Sequence, residues 1–578
     1  MNLLFPIKDF NLGIYNNTFF EGVNLSPGNN DDDIDQIIQS FLLEKANIEI
    51  NSFTIPISLF NNFMEFSGLL LAHHIRLSRE LKFCEVPIVF YGSLKIEQLL
   101  RLTPLARILL TSNVVYVDIA KYSFGQIKES LESYKPKPFD IKTFLNHIQI
   151  NPPANYDSHH SVDNEFALIQ WSKYINCYDK LPNSFKKEYD SNLYFKYLKL
   201  KHSLTNKELQ FDSSAIVSTN NINILLIDDE AIKGWEAFYS SFFSNSSERI
   251  TFKDSGIDFK NIHTKEDVIS EIESIITVFK PDVILLDLRL LDSDFLQETF
   301  PSELSGIKVL EKIKEINKGI QVIITTASNK AWTFNLAKQK GAYDFIIKDG
   351  FENPSIAINK LSKTIENACK RSHYLKPIYE NILESLIKWN TYQLHKRTKI
   401  TDQIHDPLWH VNLKLQVNDF VNNAFDTINN DSIAERFTLS ILMLYRVIEM
   451  INEFYIIESG DNRNRTNQYH FDQDNSIVPK ITFNRGTYSV TNNVTIGTYY
   501  STLDRVFAIY YKTNHNLNTS LFRKLYDISK YRNEVAIHPD KRFLEESLEF
   551  IYENDFTRFI SLINNYFSSI LVYIGSFE

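Results

Sequence analysis

The feature that most constrains this chain is a pair of apolar runs that each end in acid. NINILLIDDE supplies Ile222, Ile224, Leu225, Leu226 and Ile227, then Asp228 and Asp229; PDVILLDLRL supplies a second run that ends at Asp287. Short apolar runs of this kind suit strands buried on both faces of a parallel sheet. Helical stretches alternate with such runs from 222 to 350, which is the pattern of a parallel α/β domain. Ligands of open parallel sheets sit at the carboxyl ends of the strands, so these strand ends bring the three carboxylates together. Carboxylates that close repel unless a cation joins them, and an oxygen-only ligand set suits Mg²⁺. A third run, QVIITTAS, ends with Thr325 and Thr326, and a fourth, AYDFIIKDG, ends with Lys348. A hydroxyl and an ammonium at the same rim can hold two phosphoryl oxygens.

This ordered set resembles the receiver family of two-component response regulators. The resemblance covers the stretch 222–352 and implies a doubly wound, flavodoxin-like parallel α/β fold. It implies that Asp287 is the phosphoacceptor, that Asp228, Asp229 and Asp287 hold Mg²⁺, and that Thr326 and Lys348 bind the phosphoryl group. Phe345, three residues before the lysine, matches the aromatic switch position. A histidine kinase is the implied phosphodonor. Two departures stand out: Asp349 replaces the usual proline after the lysine, and LDSDFLQETFPSEL makes a long loop before Ser305 and Gly306 restart a helix. A loop that long is a place for a lid or a partner.

At 578 residues, several domains are expected. A net charge of −10 argues against a nucleic-acid binder held by bulk charge, although a local basic patch stays compatible with it. Cys84, Cys177 and Cys369 are widely spaced, which gives no disulfide framework or zinc pattern and fits a reducing cytoplasm. The N-terminal MNLLFPIKDFN carries a charge in its short apolar run and does not read as a signal peptide, and no run reaches membrane-span length. A cytoplasmic protein with no membrane partner is expected.

Residues 1–200 mix strands and helices. FTIPISL, a helix over 66–78, EVPIVFYG and ILLTSNVVYVD follow in order. Ser67 and Gly68 resemble the Ser-Gly helix start after a receiver's third strand, but no aspartate ends FTIPISL and no lysine stands at the late position. A degenerate receiver-like domain is one reading, and an unrelated α/β domain the other. His73 and His74 are expected in the core or an interface and not on a metal. Residues 201–221 are polar and suit a linker. Asn353 and Pro354 read as an N-cap and first helical residue of connecting helices over 353–400. Ile358, Leu361, Ile365 and Ala368 form one stripe, and Ile378, Ile382, Leu386 and Trp389 resume it after Pro377.

Residues 401–578 are mainly helical, with a β-prone insertion near 466–500. RFTLSILMLYRVIEMINEFYII carries Arg446 and Glu449; LFRKLYDISKYRNEVAIHP carries Arg532, Asn533 and His538. These resemble the LYR-x-x-E helix and the R-polar-x₄-H motif of the HEPN family, many of whose members are metal-independent ribonucleases. The resemblance implies that His538 moves a proton during attack of a ribose 2′-hydroxyl. It implies that Arg532 stabilises charge on phosphorus and Asn533 orients either group, with no cofactor. Six residues turn a helix by about 240°, so Arg532 and His538 do not share a face; a site assembled across a homodimer, which the resemblance implies, resolves that. His405 in QIHDPLWH resembles a kinase phosphoacceptor box, but no Gly-rich ATP lid follows, and a turn or interface role is expected.

The chain is thus read as multidomain α/β plus all-α: an N-terminal α/β domain, a central receiver, and a C-terminal helical HEPN-like domain with a small β insertion. The expected function is a phosphorylation-controlled response regulator with an RNA-cleaving output. By family analogy alone, that output would serve antiphage or stress defence. The rival is a non-enzymatic scaffold whose helical C-terminus binds a protein partner.

Overall fold

Short, mostly apolar strands build two parallel sheets in this chain. The computed structural model describes residues 1–5, 21–23, 25, 34–59, 66–118, 128–129, 131–152, 159–202, 221–244, 249–295, 299–327, 331–391, 408–433, 435–460, 463–471, 475–484, 487–514 and 526. Two compact units divide the chain: one takes Met1–Asp212, Ile232–Phe242 and Lys348–Ile358; the other takes Ser213–Ala231, Phe243–Ile347 and Asn359–Glu578.

The first unit contains β1 (Asn2–Leu4), β2 (Glu21–Gly22), α1 (Ile34–Glu44), β3 (Ser52–Pro56), α2 (Ser67–Leu77), β4 (Ile88–Gly92), α3 (Ile96–Leu102) and β5 (Val114–Asp118). Its strands are all parallel, in the order β2-β1-β3-β4-β5. The helices α4 (Ile141–His147), α5 (His159–Tyr174), α6 (Asn183–Ser191) and α7 (Leu193–Lys201) follow. The two histidines of α2 are fully buried. His73 Nε2 meets the Leu105 carbonyl at 3.0 Å, and burial pushes its pKa down to about 4. His74 lies 2.9 Å from Asp35 of α1 and 3.2 Å from Lys196 Nζ of α7. Both therefore serve the core as expected.

The helix α8 (Trp235–Ser244) falls in the first unit up to Phe242, and the second unit carries β6 (Ile222–Ile227), β7 (Ile250–Asp254), α9 (Lys265–Phe279), β8 (Val283–Leu286), α10 (Ser305–Ile316), β9 (Gln321–Thr326), α11 (Ala331–Gln339) and β10 (Asp344–Ile347). These strands are again all parallel, ordered β10-β9-β8-β6-β7. Numbered from the first strand of each, both sheets run 2-1-3-4-5, the doubly wound order. One face of the second sheet packs Ile284, Leu286, Val322 and Ile324 against Val268, Ile272 and Ile276 of α9 and Ile307, Leu310 and Ile313 of α10.

A single helix, α12 (Pro354–Thr391), runs through Pro377. Asn353 caps it, its side-chain oxygen accepting the Ser355 N–H at 2.9 Å. From Leu375 onward α12 shares one core with α13 (Leu408–Asn429), α14 (Arg436–Tyr455) and α15 (Thr502–Asn514). Two antiparallel pairs, β11 (Ile456–Ser459) with β12 (Gln468–Phe471) and β13 (Lys480–Asn484) with β14 (Thr487–Thr491), form the β insertion. Among the described residues, no helix is long and apolar enough to cross a membrane.

Candidate phosphoacceptor site

Asp228 and Asp229 follow the last residue of β6, and Asp287 follows the last residue of β8. Register fixes the neighbourhood, because Ile227 pairs with Leu286. One carboxylate oxygen from each acid lies within 4.8 Å of the other two. This all-oxygen set fits a hard divalent cation. Asp287 Oδ1 accepts the N–H of Leu288 at 2.5 Å and of Arg289 at 3.2 Å, which aims the carboxylate at the loop that follows.

Thr326 ends β9 and pairs with Ile347, the last residue of β10; Lys348 comes next and is fully buried. The Lys348 ammonium lies 4.6 Å from the centre of the Trp235 ring. Phe345 on β10 stacks on Phe334 of α11, centroids 4.1 Å apart and planes 4° from parallel, and Lys360 lies 5.2 Å from the Phe345 ring.

Sequence reasoning passed over one residue in the long loop. Asp294 is buried, and its carboxylate accepts the N–H groups of Leu290 (3.1 Å), Leu291 (3.2 Å) and Ser305 (3.0 Å) together with the Ser305 hydroxyl. It ties the stretch after Asp287 to the start of α10. Phe300, farther along the loop, is 73 % exposed.

The same clasp recurs in the N-terminal sheet. Gly306 N–H donates to the Leu288 carbonyl at 3.1 Å, and Ser305 Oγ accepts the Leu290 N–H at 3.0 Å. Gly68 N–H donates to the Ile57 carbonyl at 3.1 Å, and Ser67 Oγ accepts the Leu59 N–H at 2.8 Å. A methyl group on Gly306 would sit 2.2 Å from the Asp287 carbonyl oxygen, and one on Gly68 would sit 1.7 Å from that of Pro56. Pro56 therefore stands where Asp287 stands.

Strand register carries the comparison further. Phe5 matches Ile227, and the two residues after Phe5 in sequence are Pro6 and Ile7 in place of the two acids. Gly92 matches Thr326. Asp118 matches Ile347, so the residue at the lysine position in sequence is Ile119. Only the aromatic persists: Tyr116 matches Phe345, and its hydroxyl donates to the Leu94 carbonyl. The N-terminal sheet thus keeps a receiver's frame and lacks the groups that would bind metal or phosphate.

Residues 1–117 match the inactive receiver domain family. A stretch of 126 residues is 32% identical to the luminescence regulatory protein LuxO of Vibrio campbellii and to the regulatory protein LuxO of Vibrio parahaemolyticus. That stretch is 22% of this chain and 23% of each relative, so the chain spans under a quarter of the curated relatives it matches. The chain carries a receiver-type domain. Together with the register, the N-terminal match decides between the two readings of residues 1–117 in favour of the receiver fold without its site.

The C-terminal candidates divide. Arg446 of α14 pairs with Glu449 at 3.1 Å and with Glu453 at 3.2 Å, an ion-pair cluster on a partly exposed helix face. Arg532, Asn533 and His538 lie outside the described residues, as does His405.

Proposed function

We propose that this protein is a response regulator in which Asp287 accepts a phosphoryl group from the phosphohistidine of a partner kinase. The observation that carries the reading is the convergence of Asp228, Asp229 and Asp287, the first two following one central strand and the third following another. In the transfer, an Asp287 oxygen forms a bond to phosphorus while the phosphorus–nitrogen bond breaks and the imidazole keeps the electron pair. Asp228, Asp229 and Asp287 would hold Mg²⁺, which offsets charge on the phosphoryl oxygens. Thr326 and Lys348 would take the remaining oxygens, and Phe345 would follow Thr326 as the switch. The helix α12, capped at Asn353 and sharing its far half with the C-terminal core, would pass the change on.

The output is read as HEPN-like RNA cleavage, with His538 as proton carrier and Arg532 and Asn533 at the phosphate in a homodimer. The motif supports this reading. The alternative, a scaffold that binds a protein partner, draws on the four-helix core with its β hairpins, which is a framework any output could use. Both parts are testable. Mg²⁺-dependent acyl phosphate should form with a small phosphodonor and vanish in Asp287→Asn; a retained signal removes the site assignment. RNA cleavage by the phosphorylated protein should be lost in Arg532→Ala and in His538→Ala. Cleavage that persists in both variants removes the nuclease, and absence of cleavage in the wild type favours the scaffold.

A further inference from the structure

Lys348 packs against an aromatic face. Its ammonium lies 4.6 Å from the centre of the Trp235 ring, and both residues are essentially without solvent exposure. Trp235 is the first residue of α8, seven positions after Asp228 in the connection that follows β6. A buried ammonium over an indole face is attracted by the ring's quadrupole, and the attraction grows as water is excluded.

The Trp235 ring has a rigid backing of its own. Trp171 of α5 meets it edge-on, centroids 5.6 Å apart at 80°, and Phe238 closes the triangle at 5.6 Å from Trp235 and 5.9 Å from Trp171. The stretch after Lys348 lies against the same helix. A methyl group on Gly350 would sit 2.6 Å from the Ala167 nitrogen, and the Phe351 ring meets Phe166 at 5.4 Å. All these residues belong to the first unit.

From this geometry we infer that Trp235 is a positioning residue for Lys348, and that α5, through Trp171, is built into the support of the phosphoryl-binding lysine. The inference rests on the receiver reading proposed above. A receiver of this design would lose phosphoryl affinity when α5 is disturbed, although α5 supplies no ligand.

The test uses the full chain, with Mg²⁺ and beryllofluoride as the phosphoryl mimic, followed by ¹⁹F NMR. Trp235→Leu removes the π face and should weaken beryllofluoride binding by roughly tenfold or more. Trp235→Phe restores an aromatic face and should bind within about threefold of wild type, since any aromatic ring carries the quadrupole. Trp171→Leu should fall between them. The affinity for Mg²⁺ alone, set by the acids, should stay unchanged in all three. In wild-type protein with ¹³C-labelled lysine, the ε-methylene of Lys348 should be shifted upfield by the indole, a signature that needs no variant to fold. Wild-type affinity in Trp235→Leu, or an unshifted Lys348 resonance, overturns the positioning role; wild-type affinity in Trp171→Leu overturns the role of α5. If the wild type binds no beryllofluoride, the receiver reading itself fails, whatever the lysine resonance shows.

Discussion

Replacing Asp294 by alanine should loosen the segment between Asp287 and α10. The carboxylate accepts three backbone N–H groups, from Leu290, Leu291 and Ser305, at 3.0 to 3.2 Å, and it is buried. A buried donor left without an acceptor costs about 1–3 kcal/mol, so three give roughly 3–9 kcal/mol before relaxation. The lost side chain leaves polar space that water can enter, and Leu290 N–H keeps the Ser305 hydroxyl as a second acceptor. The expected local destabilisation is therefore about 3–4 kcal/mol, near the lower end of that range. In hydrogen exchange this is a fall in protection of about 100- to 1,000-fold. Exchange followed by mass spectrometry on peptides spanning 288–307 reads it directly. Asp294→Asn, which keeps one acceptor oxygen, should fall between wild type and alanine. Exchange in Asp294→Ala within about threefold of wild type would refute the view that this carboxylate organises the loop.

Four further outcomes follow from the geometry. Lys314 is buried, and burial lowers its pKa to about 7 from the ordinary 10.5. Between these values the unfolded chain holds a proton that the folded chain has released, so stability should rise with pH through that window by at most about 1.4 kcal/mol per unit. The rise should disappear in Lys314→Met, as measured by urea unfolding at pH 7, 8 and 9. Gly306→Ala should prevent acyl-phosphate formation, because the added methyl meets the Asp287 carbonyl oxygen at 2.2 Å. Gly68→Ala should lower the melting temperature through its clash with Pro56 while Asp287 still takes phosphate. Pro56→Asp in an Asp287→Asn background should yield no acyl phosphate, since Gly92 and the sequence neighbours Pro6, Ile7 and Ile119 supply none of the other groups.

The receiver was readable from sequence because each polar group stands at the end of an apolar strand long enough to show itself. Ile222–Ile227 and Gln321–Thr326 are six residues each, and the groups after them have no other place to go. The N-terminal sheet was only half readable. Its strands β1 and β2 span three and two residues, too short for any periodicity, and without them the strand order stays hidden. Asp294 reads as one acid among several in a polar loop; its burial arises only when Leu290, Leu291 and Ser305 turn their N–H groups toward it. Trp171 and Trp235 look like ordinary core aromatics, because a cation over a ring is a tertiary contact between residues far apart in sequence. The stripe through Pro377 was legible as two segments, but packing of Leu375, Ile378 and Ile382 in one core keeps the helix continuous across the proline.

The Ser-Gly clasp shared by the two sheets has a consequence for how such a pair can arise. The clasp and the apolar strands hold the frame, while the proposed phosphate chemistry rests on side chains at or just beyond the strand ends. Losing those side chains removes like charges from a crowded edge, so decay of a spare site runs downhill in folding stability. Selection would have to act on signalling to keep one copy intact, and nothing in the fold itself would resist erosion of the other.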